Sequence, residues 1–459
     1  MSVLGIDIGT TSISASVVDE GTGEVLKKTT VQNGAFIKSS NAWEKIQDPN
    51  EILASVNHMI EASLREFTTI NAIGLTGQMH GILYVDSQGE SVSPLYIWQD
   101  ERGNLDYREG VSYAAYLSKL TGYSLATGFG LVTHFFNMQN HLVPNECKQI
   151  CTISDYCAMK LTGEKKALIH VSNAASLGIF NTEQQEFDKK AVVKAGISCD
   201  LLPPVVKEIK LVGDTKGAIP VAIAIGDNQA SFLGAVNDMK DSVLVNIGTG
   251  SQLSLLNDKS YSYEEDLEVR PLIGDKTILV GAPLCGGKSY ELLEKFFESV
   301  LKMADIPIKN LFSYMNDINC TDFEENELPI ITPKFSGTRK NPNLQASITN
   351  INNHNFTAQH FILAMLEGIT KELFDLYACI QTQQMFKAKR LIGSGNGIRK
   401  NSLLRKFLSK TFELELKVPV YDEEAAYGAC LFALVGKGYF ENIETAQKII
   451  KYEDEDKID

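Results

Sequence analysis

One short pattern occurs twice, and it constrains the fold more than any other feature. Residues 4–19 read LGIDIGTTSISASVVD and residues 243–256 read VLVNIGTGSQLSLL. In the first copy the apolar run 4–8 and the alternating run 13–18 each suit a β-strand. Gly9, Thr10, Thr11 and Ser12 lie between them and suit a tight hairpin turn. Such a turn lets backbone N–H groups approach an anion, and the hydroxyls add donors. Asp7, beside the turn, would repel phosphate unless a cation lay between them, so the stretch suggests a Mg²⁺–polyphosphate site. Taken alone, it reads equally well as an ordinary hairpin with a solvated Asp. The second copy aligns Asn246-Ile247-Gly248-Thr249 with Asp7-Ile8-Gly9-Thr10 and predicts two lobes of like design. Two such hairpins could grip one polyphosphate from both sides. The neutral Asn246 opposite Asp7 leaves one carboxylate for a metal without adding repulsion where phosphate must sit.

A length of 459 residues exceeds one core and predicts two or three domains. The net charge of -14 argues against a nucleic-acid partner, which needs clustered Lys and Arg. It leaves a phosphate ligand open, because local backbone donors serve that purpose. No apolar run approaches the roughly 20 residues of a membrane span, so no membrane association is expected. The start MSVLGID lacks the basic and apolar regions of a signal peptide. The eight Cys show no C-x-x-C pair or zinc spacing, and they read as reduced thiols of a cytoplasmic protein.

Along the chain, residues 50–67 carry Ile52, Val56, Met59 and Ile60 at helical spacing, with Pro49 placed for a first turn. Strands interleave with helices through the first half, which predicts an α/β lobe. Ligands usually bind at the strand ends of such sheets. After a strand at 72–75, Gln78 and His80 flank Met79; Trp98, Asp100 and Arg102 form a second cluster. An aromatic wall beside amide, imidazole and carboxylate groups suits a polyol, with ring faces on C–H groups and polar groups on hydroxyls. Each of these residues singly also reads as core or as a satisfied partner of the backbone.

Residues 221–225 read as a strand ending at Gly226-Asp227-Asn228-Gln229, and 230–236 as a helix. At that junction Asp227 could cap the helix or, a short segment ahead of the second hairpin, act as a general base. The polar stretch 237–241 marks the lobe boundary, giving lobes 1–238 and 239–459. In the second lobe Gly287 lies in a glycine turn before a helix over 290–303. A strand at 390–392 runs into G-S-G-N-G at 393–397, ahead of a helix over 401–411, an arrangement that can hold a nucleotide. Residues 357–381 predict a long helix, 423–435 a small-residue helix that packs closely, and 316–327 an acidic surface loop.

Together these motifs resemble the FGGY family of carbohydrate kinases, nearly end to end. The resemblance rests on GIDIGTTS (5–12), TGQMHG (76–81), WQDER (98–102), GDNQAS (226–231), NIGTGSQ (246–252), CGGKSYELL (285–293), SGTRKNP (336–342), EGITKEL (367–373) and GSGNGIRKN (393–401). It implies an α/β, two-lobed ribonuclease-H-like fold, shared with actin, hexokinase and heat-shock chaperones, with a duplicated lobe. It implies ATP as co-substrate, Mg²⁺ as metal and a small-molecule sugar as acceptor. By resemblance Asp7 positions the metal, and Thr10, Thr11, Ser12, Gly248 and Thr249 grip phosphate. Gly287, Gly395, Asn396 and Asn401 form the nucleotide side. Gln78, Met79, His80, Trp98 and Asn228 contact the sugar, and Asp227 is both sugar contact and catalytic base. The family often has G-E-R at Gly337-Thr338-Arg339 and G-G-G-A at the 393–397 loop, where this chain departs from it.

Within the family, TGQMHG looks like the ketose kinases, xylulose kinases in particular. The run of W-Q-D-x-R, A-T-G-F-G (126–130), S-N-A-A-S (172–176) and G-I-F-N (178–181) looks most like members acting on sedoheptulose. The expectation is phosphorylation of sedoheptulose to sedoheptulose 7-phosphate with Mg-ATP between the lobes. Xylulose or another pentulose is the alternative substrate. An actin-type ATPase or a sugar sensor without kinase activity is the alternative of another class. A homodimer is compatible with the sequence.

Overall fold

The computed structural model describes residues 1–257, 267–307, 310–318, 327–338, 341, 343–384 and 386–453. Most of the expected acidic loop at 316–327, Arg339 of the SGTRKNP motif and the tail beyond 453 lie outside the described residues. The chain forms two compact units. One comprises Met1–Asn237, Arg270–Thr277 and Glu423–Ile450; the other comprises Asp238–Val269, Ile278–Asp422 and Lys451–Asp459. The boundary near 238 is therefore one of several crossings, because two later segments fold with the first unit.

The first unit is built on a sheet in the order Leu211–Asp214, Pro220–Ala222, Ile70–Gly77, Ser2–Ile8, Ser12–Asp19, Val25–Gln32. Ser2–Ile8 pairs antiparallel with Ser12–Asp19, from Ser2↔Asp19 to Ile8↔Ile13, closing the expected hairpin. On its other side it runs parallel to Ile70–Gly77. The helix Pro49–Glu66 starts on Asp48, whose carboxylate accepts from the N–H groups of Asn50 and Glu51. Its buried face, Ile52, Val56, Met59 and Ile60, joins Leu4, Ile6, Ile8, Ile73 and Leu75 in one core. Strand alternation then sends Gly5 and Asp7 to the opposite face.

That opposite face is covered by the small-residue helix Glu424–Gly436. A Cβ on Gly5 would stand 2.0 Å from the carbonyl oxygen of Ala426, so only glycine permits this contact. The same helix crosses the helix Asp227–Ala235, where Cβ atoms on Gly234 and Gly428 would each meet backbone at about 2 Å. Close packing of 423–435 thus sets the seat of the helix that carries Asp227.

The second unit repeats the plan. Ser242–Ile247 pairs antiparallel with Ser251–Asn257 and parallel with Arg390–Ser394. Its core gathers Val243, Val245 and Ile247 with Leu363, Leu366, Ile369 and Leu373 of the long helix Ala358–Gln384. Asn246 faces Ser394 across this parallel pair as Asp7 faces Thr76 in the first unit.

Candidate functional site

The first unit presents a turn whose carbonyls are all tied back. Asn33 donates through Nδ2 to Gly9 O at 2.9 Å and through its backbone N–H to Thr11 O at 2.8 Å. Gln47 Nε2 donates to Thr10 O at 2.8 Å. With these dipoles turned toward Asn33 and Gln47, the positive side of the turn faces away from them, as an anion-binding nest requires. Thr11 is exposed and Ser12 half-buried at the edge of the turn. The Thr10 hydroxyl accepts from Trp98 Nε1 at 2.9 Å and donates to Gln78 Oε1 at 3.1 Å. Gln78 Nε2 donates to Gln47 Oε1 at 2.9 Å, which closes a ring back to the Thr10 backbone. Residues expected on the phosphate and sugar sides are therefore one network, and the buried Gln78 amide serves that network.

Asp7 leaves the strand beside this turn. Its Oδ1 is buried and has no hydrogen-bond partner among the described residues. Burial, then the charges of Asp227 and Glu423, push its carboxyl up from 3.8 to about 7. Its counterpart Asn246 is satisfied, donating from Nδ2 to Ser394 Oγ at 2.7 Å. A carboxylate oxygen without a donor, in a field of other carboxylates, fits a divalent cation. Among the described residues no group of three or more His, Cys, Asp or Glu could hold an ion unaided. An ion at Asp7 would therefore complete its shell with phosphate and water.

His80 adopts φ 69°, in the left-handed region. Its backbone N–H donates to Ser176 Oγ at 3.1 Å, and its ring Nδ1 meets Ser176 O at 2.7 Å. Because that oxygen only accepts, Nδ1 carries the proton. Phe129 stacks on the ring with centroids 4.8 Å apart. Phe129 belongs to the A-T-G-F-G loop, which lies so close to Trp98 that a Cβ on Gly128 would stand 2.1 Å from Trp98 O. Trp98 itself is 47% exposed. Met79 is buried, and its Sδ lies 2.8 Å from where a Cβ on Gly226 would be, so it packs under the junction ahead of Asp227.

Asp100 and Arg102 do not join this surface. Both are fully buried, with Arg102 Nε on Asp100 Oδ1 at 2.6 Å and Nη2 on Glu44 Oε1 at 3.1 Å. The guanidinium lies over Tyr96, 4.2 Å from the ring centroid. The expected second polar cluster is corrected accordingly: only Trp98 remains accessible, because the ion pair is consumed in holding the loop that carries it.

Asp227 is the first residue of the helix Asp227–Ala235, and Gly226 occupies the cap position without a side-chain bond. The carboxyl therefore does not act from the cap position; it meets the Asn228 N–H at the start of the helix. Burial raises it from 3.8 to about 6, against the Asn228 N–H and the Arg270 charge, which lower it. Asn228 Oδ1 accepts from Arg270 Nη1 at 3.3 Å, and Gly226 N–H donates to Ser172 Oγ at 3.0 Å. The six-residue helix Val171–Ser176 therefore anchors both His80, through Ser176, and the Asp227 junction, through Ser172. Sequence reasoning flagged S-N-A-A-S as a motif without assigning it this part.

The second unit holds a cavity of about 800 Å³ lined by Gly248, Thr249, Gly287, Asn396 and Asn401, all expected on the nucleotide side. The turn carbonyls are again tied back: Gly287 N–H donates to Gly248 O at 3.0 Å and Lys288 N–H to Thr249 O at 2.9 Å. Gly395, at φ 87°, backs the wall, where a Cβ would stand 2.6 Å from Ile247 O. Asn401 caps the helix Ser402–Phe412 through its side chain. Tyr290, Phe312, Asn316 and Lys400 also line it. Tyr290 and Lys400 fall within the motifs at 285–293 and 393–401 without having been assigned a part, and no local pattern marked Phe312 or Asn316.

Residues 2–234 match the N-terminal domain, and residues 293–436 the C-terminal domain, of the FGGY family of carbohydrate kinases. The chain is 30% identical to the sedoheptulokinase of Mus musculus, over 94% of this chain and 97% of that protein. It is 25% identical to a xylulose kinase of Staphylococcus epidermidis, over 96% and 89% of the respective lengths. Among solved structures, ligand-bound xylulose kinase from Lactobacillus acidophilus superposes with a TM-score of 0.82 at 17% identity, covering 99% of this chain and 93% of that one. Plasmodium falciparum glycerol kinase with ADP gives 0.80 at 20% identity, covering 99% and 93%. These likenesses assign the expected two-lobed α/β fold.

Proposed function

The chain belongs to the FGGY family of carbohydrate kinases, and from that premise we propose that it phosphorylates the primary hydroxyl of a ketose, sedoheptulose, from ATP. It is a phosphotransferase with an alcohol acceptor, acting on a small-molecule sugar. The observation that carries the chemical reading is Asp227, a half-buried residue at the first position of its helix whose carboxyl is raised to about 6. A general base is most effective when its pKa lies near the working pH. Asp227 accepts the proton of the attacking hydroxyl. His80, Trp98 and Asn228 contact the sugar, with Gln78 and Met79 behind them. The first-unit turn at Thr10, Thr11 and Ser12 and the second-unit turn at Gly248 and Thr249 donate to phosphate oxygens. Gly287, Gly395, Asn396 and Asn401 form the nucleotide side on the second unit. Asp7 is the residue that would hold Mg²⁺. When bound, the ion neutralises charge on phosphate oxygens, the main need of phosphoryl transfer.

The preference for sedoheptulose rests on the 30% match over nearly the whole chain and on S-N-A-A-S and A-T-G-F-G, which surround His80. Xylulose is the second reading, favoured by T-G-Q-M-H-G and the xylulose kinase relatives. Among the described residues no helix is long and apolar enough to cross a membrane. We place the activity in the cytoplasm, where sugar and ATP are both at hand. The test is ADP release with Mg²⁺ and ATP against sedoheptulose, xylulose, ribulose, fructose and glycerol. Highest kcat/KM with sedoheptulose supports the proposal; highest kcat/KM with xylulose transfers it to the second reading, and stimulation by none overturns both.

A further inference from the structure

We propose that Asn316 reads the nucleobase in the second-unit cavity through its amide NH₂, held in that orientation by Tyr290 and Asn401. The inference rests on the reading of that cavity as the ATP site. Asn316 ends the helix Leu311–Asn316 and lines the cavity beside Phe312 and Tyr290, whose rings stack with centroids 5.8 Å apart and an interplanar angle of 24°. Its Oδ1 accepts two donors, Tyr290 Oη at 3.0 Å and Asn401 Nδ2 at 2.9 Å. Asn401 cannot turn to relieve this, because its own Oδ1 accepts the Leu404 N–H at 2.9 Å as the cap of the next helix. A flip of Asn316 would set its NH₂ against the Asn401 NH₂, leaving buried donors unmatched.

The amide orientation of Asn316 is therefore dictated by a helix cap two residues of hydrogen bonding away. Among the described residues its NH₂ makes one long bond, to Lys400 O at 3.4 Å, which leaves a second hydrogen to donate. Purine rings offer acceptor nitrogens at their edges and a flat face that stacks on aromatic side chains. An oriented amide donor beside a stacked aromatic pair, with Leu366 and Ile369 in the same wall, is complementary to such a base. Phosphate needs none of these features; the glycine turns at Gly248 and Gly287 serve it.

Asn316→Asp keeps the oxygen that accepts from Tyr290 and Asn401 but replaces the NH₂ donor by a carboxylate oxygen and adds a negative charge. Asn316→Ala is the neutral companion. Calorimetry on the full chain, with ADP and with pyrophosphate, reads base and phosphate separately. We expect ADP Kd to rise about tenfold or more in both variants, with pyrophosphate Kd and sugar KM within about twofold of wild type. Tyr290→Phe, which removes one orienting donor, should weaken ADP by a smaller factor in the same direction. Unchanged ADP affinity, or equal loss for ADP and pyrophosphate, overturns the role of Asn316. Gly287→Ala separates the two readings: its Cβ would stand 2.3 Å from Gly248 O and displace the turn. If that variant binds ADP like wild type, or wild type binds none, the cavity is not the nucleotide site and the inference falls with it.

Discussion

Ser176 grips His80 twice, once through its hydroxyl on the His80 backbone N–H at 3.1 Å and once through its carbonyl on ring Nδ1 at 2.7 Å. The pair explains how a β-carbon-bearing residue keeps φ 69°, a conformation that costs energy and persists only when its surroundings over-determine it. It also sets the tautomer: the Ser176 carbonyl only accepts, so the neutral form of the ring carries its proton on Nδ1. Backbone strain, tautomer and ring position are thus settled by one residue 96 positions away.

Ser176→Ala should loosen this hold without abolishing it, since the carbonyl remains. We expect a stability loss of about 1 kcal/mol and a sugar KM raised by about two- to fivefold. KM for ATP should not move. Thermal melts and steady-state kinetics on both substrates check this; an equal rise in both KM values would assign Ser176 a general structural part.

Asp227→Asn should lower kcat by roughly 10²–10⁴-fold with little change in sugar affinity, because it removes a proton acceptor and keeps the shape. The pH dependence has a definite sign. The base acts deprotonated, so wild-type kcat/KM should fall as pH drops through about 6, the value to which burial raises this carboxyl. That limb should be absent from the residual activity of the variant. A wild-type profile flat down to pH 5 would contradict the assignment.

Asp7 makes a separate prediction about stability. Its folded carboxyl is raised to about 7 against 3.8 for the free side chain, so the folded state holds a proton that the unfolded chain has released. Its contribution is fully present below about 4 and is lost as pH rises to about 7, on the order of 2–4 kcal/mol. Asp7→Asn should flatten this part of the stability–pH curve in metal-free protein, while Mg²⁺ with ATP should stabilise wild type more than the variant. Denaturant titrations at a series of pH values, with and without Mg-ATP, decide it.

Thr10→Val removes the hydroxyl shared by Trp98 Nε1 and Gln78 Oε1. Gln78 is only 3% exposed, so its unmatched oxygen should cost about 1–3 kcal/mol, whereas the exposed indole regains water. We expect sugar KM to rise and kcat to fall together, because this hydroxyl joins the turn to the aromatic wall. Thr10→Ser should restore both; a serine variant as impaired as valine would show that the methyl group carries the effect.

The hairpins, the helix over Pro49–Glu66 and the small-residue packing of 423–435 were legible because each is a local pattern: strand alternation, a turn composition, helical spacing, a run of small side chains. Asp7, Asp227, His80 and Trp98 could be named as candidates because each stands beside a recognisable turn. Asp100 and Arg102 misled, since a charged pair in a motif does not reveal whether its charges face a ligand or each other. Likewise nothing in the chain near 290, 316 or 401 announced that these positions share one oxygen atom.

The sequence by itself determined the duplicated strand–turn–strand plan, the family, the class of reaction and which side chains are candidates for it, because these follow from residue type and short-range spacing. Tertiary structure alone decided which of those side chains are spent and which are available. It tied the carbonyls of both turns back to donors, matched Asn246 with Ser394 and left Asp7 Oδ1 without a donor among the described residues. It buried the Arg102 ion pair and set Asp227 at the first position of its helix, after the Gly226 cap. A hydrogen bond is settled by atoms brought within about 3 Å, and that proximity comes from the whole fold rather than from any one segment.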